Sequence, residues 1–134
     1  MSEHPLLAEI LVNPALNGLY RLAESVDFPE TTLAYIDGVR LTSKQGMLAA
    51  FAEALAFPEY FGHNWDALEE CLHEPTMPAG LCIDRAGIPE AADPASWEIL
   101  LDILAACAED WQAVDQPFSI FLRGGHAAYP LIVA

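Results

Sequence analysis

Between Asp66 and His73, in the segment DALEECLH, three carboxylates and an imidazole recur at intervals that gather them on one side of a helix. Asp66, Glu70 and His73 follow i, i+4, i+7 spacing and His63 precedes them, a set of oxygen and nitrogen donors that could meet a divalent ion. The same carboxylates could instead pair with cations on a basic protein, as an acidic module that mimics nucleic acid would. Nucleophilic catalysis by Cys71 with His73 as its base fails on geometry, because residues two apart on a helix point about 200° from each other. With roughly 100° per residue and Asp66 at zero, Glu69 falls near about −60°, His73 near about −20° and Glu70 near about +40°. Trp65, Ala67, Leu68, Cys71 and Leu72 share the opposite arc, so one face is fit to bury and the other presents charge.

The surrounding charge weighs against the metal reading and for the protein-binding one. No second ligand cluster of comparable quality occurs in the chain, and a single exposed helix face makes a poor enclosed metal site. From Gln45 to Asp84 there is no Lys or Arg against seven carboxylates: Glu53, Glu59, Asp66, Glu69, Glu70, Glu74 and Asp84. A helix face built for stability mixes signs, since i, i+4 Glu/Lys pairs contribute about 0.2–0.5 kcal/mol each and like-charge pairs cost about as much. Asp66 and Glu70 form such a like-charge pair, and Glu70 and Glu74 lie toward the negative end of the helix dipole. Over the whole chain, 20 acidic residues against 5 basic ones give a net charge of −15, which repels nucleic acid and anionic membrane and favours a basic protein partner.

The elements that must position this face follow from patterning. With 134 residues and 54% apolar content, the expectation is one domain with a core of its own. Residues 1–32 read as an N-terminal extension, with a short helix after Asn13-Pro14 and a strand-like run from Gly18 to Ser25. Leu33 to Asp37 is a short strand turned by Gly38, with Val39 to Leu41 as its extension. Ser43 caps a helix from Lys44 to Phe57, stopped by Pro58, in which Met47, Leu48, Phe51 and Leu55 mark the buried face. Asn64 caps the acidic helix, which runs to His73 and ends before Pro75. Gly80 to Asp84 is a second strand, Pro94 to Trp111 the longest helix, and Phe118 to Leu122 a third strand. Strands separated by helices predict an α/β fold, a small three-stranded parallel β-sheet packed with helices over residues 33–123. Residues 124–134 form a C-terminal tail, apolar at its end.

Cys71, Cys82 and Cys107 have neither CxxC nor Cys/His ligand spacing and read as small buried thiols. No secretory signal or membrane-spanning run is read in the sequence, so the expected setting is the cytoplasm, with no cofactor. In the loop before the acidic helix, PEYFGHN, Phe61 reads as core and Gly62 as a residue in a turn conformation that β-branched residues avoid. Tyr60 reads as an aromatic anchor at the mouth of the acidic face.

These residues carry a resemblance. Pro58-Glu59-Tyr60-Phe61-Gly62, Asn64, Asp66-Ala67-Leu68 and Glu70-Cys71-Leu72 resemble the barstar family, intracellular inhibitors of secreted microbial ribonucleases. The likeness extends more weakly from Leu33 to Leu122. It implies an inhibitor, not an enzyme, whose partner is a basic ribonuclease occluded by the acidic helix and the loop before it. Carried over by position, Asp66 and Glu70 take the two helix carboxylate roles, Tyr60 an aromatic contact, Gly62 and Asn64 loop contacts, and Asp110 a further acidic contact. Glu69 and His73 share the exposed face, with departures from the family pattern: Glu70 stands for a shorter aspartate, Glu69 for an aromatic, and His73-Glu74-Pro75 for Thr-Gly-Trp.

Overall fold

The computed structural model describes residues 6–29, 33–59 and 61–134. Five parallel strands form its centre: β1 (Leu19–Leu22), β2 (Ala34–Asp37), β3 (Gly80–Asp84), β4 (Ser119–Leu122) and β5 (Leu131–Ile132), in the spatial order β2-β3-β4-β1-β5. The helices are α1 (Leu7–Ile10), α2 (Lys44–Ala54), α3 (Trp65–Leu72), α4 (Gly87–Ala92) and α5 (Pro94–Ala113).

The fold is α/β with a parallel sheet, but the expected three strands are corrected to five. Segments read as extension and tail enter the sheet: β1 lies between β4 and β5, pairing Leu19 with Ile120 on one side and Leu22 with Ile132 on the other. A parallel sheet needs both faces covered. Alternation along β3 and β4 sends Leu81, Ile83, Ile120 and Leu122 to one face, where α2, α3 and α5 pack. Cys82 and Phe121 point to the other face, where Leu7 and Ile10 of α1 join Val26 and Phe28 to cover them. Residues 6–29 therefore supply a strand and cover the second face of the sheet.

Local chemistry sets the element ends. Ser43 Oγ accepts from Gly46 N at 3.0 Å and starts α2, whose Met47, Leu48 and Phe51 are buried. Instead of reaching Phe57, α2 stops at Ala54: Ala56 adopts φ +53°, Phe57 N donates to Ala52 O at 2.9 Å, and Ala56 N to Glu53 O at 3.4 Å. That is a Schellman ending with alanine in the position usually held by glycine. Val39 to Leu41 does not extend β2; residues Gly38–Arg40 form a 3₁₀ turn capped by Asp37, whose Oδ1 accepts from Val39 N at 3.1 Å. Gly38 is required by close approach, since a Cβ there would lie 2.2 Å from Arg85 O. α5 begins at Pro94 behind the Asp93 cap and runs to Ala113, burying Trp97, Leu100, Leu101, Leu104, Cys107 and Ala108. The short helix expected after Asn13-Pro14 is a 3₁₀ turn at Pro14–Leu16.

Candidate functional site

α3 is anchored at both ends, and the anchors decide which side chains are left over. At its start, Asn64 Oδ1 accepts from Ala67 N at 2.7 Å and Asn64 Nδ2 donates to Gly62 O at 3.3 Å. The expected N-cap is thus in place, and the side chain that the family resemblance makes a contact is already engaged within the loop. Phe61 is buried beside Phe57, ring centroids 5.1 Å apart, as expected of a core residue. The left-handed backbone assigned to Gly62 belongs instead to His63, at φ +50°, with His63 Nδ1 3.0 Å from Phe61 O. Gly62 matters for space: a Cβ there would meet Asn64 Nδ2 at 3.1 Å. Tyr60 lies outside the described residues.

At the other end, Leu72 O accepts from Trp111 Nε1 at 2.9 Å and from Cys107 Sγ at 3.4 Å, so α5 satisfies a terminal carbonyl of α3. Leu68 and Leu72 are fully buried, with Trp65, Ala67 and Cys71 half-buried around them, while Asp66, Glu69 and Glu70 are exposed. The two arcs predicted for this helix are the two faces observed.

Charges are distributed unevenly about this face. Among the described residues, none of the ion pairs uses the Asp66, Glu69 or Glu70 side chain. Three of the four guanidinium groups are engaged elsewhere: Arg40 with Glu53 at 2.8 Å, Arg85 with Asp37 at 2.6 Å and Arg123 with Asp84 at 3.4 Å. Lys44, just outside the cation-free stretch, places Nζ 5.6 Å from the Trp65 ring centroid, so one ammonium stands near the start of α3. Glu70 and Glu74 border a recess of about 370 Å³ whose other walls include Phe61, Gly62, Ala67 and Cys71. Burial, then the charges of Glu70 and Glu74, push the Cys71 thiol up, which keeps it protonated and a weak nucleophile.

His73 and Asp110, read from sequence as separate contacts, meet. His73 Nε2 lies 2.8 Å from Asp110 Oδ2 and His73 Nδ1 lies 2.6 Å from Glu69 O, and the imidazole stacks on Trp111 with centroids 6.3 Å apart. The Glu69 carbonyl hydrogen bond raises the His73 pKa, burial opposes it, and the Asp110 carboxylate adds to the rise. The donors of the metal alternative are not brought together: His73 turns to α5, and no group of three or more His, Cys, Asp or Glu among the described residues is placed to hold an ion. A separate apolar groove of about 610 Å³, lined by Leu7, Leu11, Val26 and Phe28 among others, sits against the second face of the sheet, away from α3.

The family model described as Barstar (barnase inhibitor) matches residues 31–123. The chain belongs to the barstar family. That family is one of ribonuclease inhibitors, and its match spans β2, α2, α3, β3, α4, α5 and β4. No curated protein matches the chain. Within this barstar-family fold, β1 and β5 fall outside the matched segment although they complete the sheet. Among the described residues, no helix is long and apolar enough to cross a membrane.

Sequence reasoning listed the exposed carboxylates but missed two neighbours that shape the site. Lys44 was hidden by lying one residue outside the stretch considered, and its approach to Trp65 crosses two elements. Trp111 was read as the end of the longest helix, and its indole N–H donates to Leu72 O at the end of α3. Glu74, already counted among the carboxylates, lines the same recess as Glu70.

Proposed function

We propose that this chain inhibits a basic ribonuclease by covering the enzyme's active site with the exposed face of α3 and the loop before it. The observation that carries the reading is the set of unpaired carboxylates, Asp66, Glu69 and Glu70, on a helix whose opposite side is locked to α5 and the sheet. Among the described residues no ion pair engages these three side chains, so cations from outside would complete the face. These carboxylates would stand in for substrate phosphates against the arginine, lysine and histidine groups of the enzyme, and occlusion needs no bond to be made or broken. The recess beside Glu70 is large enough for one basic side chain, and Glu74 also lines it. Gly62 and Asn64 form the rim at the helix start, Asp110 lies beyond the helix end, and Tyr60 supplies the aromatic contact that the family pattern implies. Association should be fast and salt-sensitive, because opposite charges steer encounter until screened; the barnase–barstar pair is itself the standard case from which that expectation comes.

The test is inhibition of barnase by the purified chain, followed by cleavage of a small dinucleotide substrate. The expected pattern is competitive, KM rising with kcat unchanged, and Asp66→Asn and Glu70→Gln each weaken it. Inhibition by wild type and both variants to the same extent would show that another surface is used.

A further inference from the structure

We infer that the His73–Asp110 pair is a proton-linked gate on the acidic surface: the doubly protonated imidazole holds Asp110 within the molecule, and loss of one proton releases that carboxylate to a basic partner. This rests on the inhibitor reading above and adds its regulation.

The geometry points to the doubly protonated ring. Both atoms facing the ring are acceptors only, Glu69 O at 2.6 Å from Nδ1 and Asp110 Oδ2 at 2.8 Å from Nε2, so both contacts are hydrogen bonds only when both ring nitrogens carry protons. The ring stacks on Trp111 and caps the C-terminal end of α3, where the helix dipole favours a cation. The titratable groups around it are Glu69 on α3 and Asp110 and Cys107 on α5. Cys107 drops out of the titration, because burial first, and then the charge of Asp110, push its thiol up to about 12. Glu74, next in the chain, lies on the Cys71 side of the helix end. The pair is reachable by a partner, since the His73 and Asp110 side chains are 35% and 61% exposed.

When the Nε2 proton passes to solvent, Nδ1 keeps its hydrogen bond to Glu69 O and a lone pair on Nε2 faces the Asp110 carboxylate. Two acceptors then repel, and Asp110 is free to turn outward. A cationic enzyme surface brought against α3 favours that deprotonated form, so binding releases a proton and strengthens as pH rises through the His73 pKa. In the free protein the sign is opposite. The raised pKa means that the α3–α5 tie stabilises fully below the ordinary histidine pKa and is lost as pH rises through the raised value.

The experiment is calorimetric titration of wild type and His73→Gln with barnase from about pH 5.5 to 8.5, in buffers of differing ionisation enthalpy. Glutamine donates to Asp110 at every pH, and comparing the two chains cancels the enzyme's own titration. Relative to His73→Gln, wild-type affinity should climb by up to about tenfold per pH unit below the His73 pKa, with up to about one extra proton released per complex. Identical pH slopes in the two chains overturn the gate and leave the inhibitor reading standing. A uniform loss of affinity in His73→Gln, with no change of slope, shows a purely structural tie and also overturns it. Absence of binding by either chain at any pH overturns the inhibitor reading and the gate with it. In the free protein, Asp110→Asn should move the His73 ring titration, followed by NMR, down toward the ordinary value; an unmoved titration overturns the gate independently of any partner.

Discussion

Trp111→Phe tests how the acidic helix is held. In the folded chain Leu72 O accepts from Trp111 Nε1 at 2.9 Å and from Cys107 Sγ at 3.4 Å, and Leu72 itself is fully buried. Phenylalanine keeps most of the aromatic contact and removes the N–H, leaving the carbonyl only the weaker thiol donor. A net hydrogen bond is worth about 0.5–1.5 kcal/mol, and a buried group left unsatisfied costs about 1–3 kcal/mol. Trp111→Phe should therefore cost about 1–2 kcal/mol, and Cys107→Ala about 1 kcal/mol or more, including its lost volume. The double variant should exceed the sum of the two by about 0.5–1 kcal/mol, because only then has the carbonyl lost both donors. Urea unfolding followed by circular dichroism reads each value, with the m-value expected to stay constant. Additivity within about 0.3 kcal/mol, or a Trp111→Phe cost below about 0.5 kcal/mol, would refute the claim that α5 holds the end of α3 through this carbonyl.

Ala56→Gly should stabilise the protein by about 0.5–1 kcal/mol, since relief of the left-handed strain at φ +53° outweighs the added freedom of the unfolded chain; a destabilised variant in the same urea assay would contradict the Schellman ending. Deleting residues 1–32 removes β1 from between β4 and β5 and uncovers Cys82 and Phe121. The truncated chain should lose cooperative thermal unfolding and bind a hydrophobic dye, and a sharp native-like transition would show that the family-matched segment folds without that layer.

What was legible in the sequence was whatever local periodicity encodes. α3 declared itself because its cap, its apolar arc and its carboxylate arc all lie within ten residues, from Asn64 to His73. β3 was legible as a continuous apolar run, all but its last residue buried. β5 is two residues long and α1 four, too short to show a period, and each exists because the sheet needs an edge partner and a covered second face. β1 was noticed as strand-like, but its place in the middle of the sheet depends on pairing with Ile120, Phe121 and Leu122, about a hundred residues away. The same distance effect hid the His73–Asp110 bridge. Both residues could be picked out for their chemistry, but only the packing of α3 on α5 shows that they satisfy each other.

The central claim is that placed charge on α3, and not net charge, makes the binding surface. The most direct measurement compares barnase inhibition by Asp66→Asn/Glu69→Gln/Glu70→Gln with inhibition by Glu24→Gln/Asp27→Asn/Glu98→Gln, a variant that neutralises as many exposed carboxylates elsewhere. The first should lose at least about a hundredfold in affinity, the removal of several charge-assisted hydrogen bonds, while the second changes it less than about threefold. Equal losses in the two variants would contradict the account.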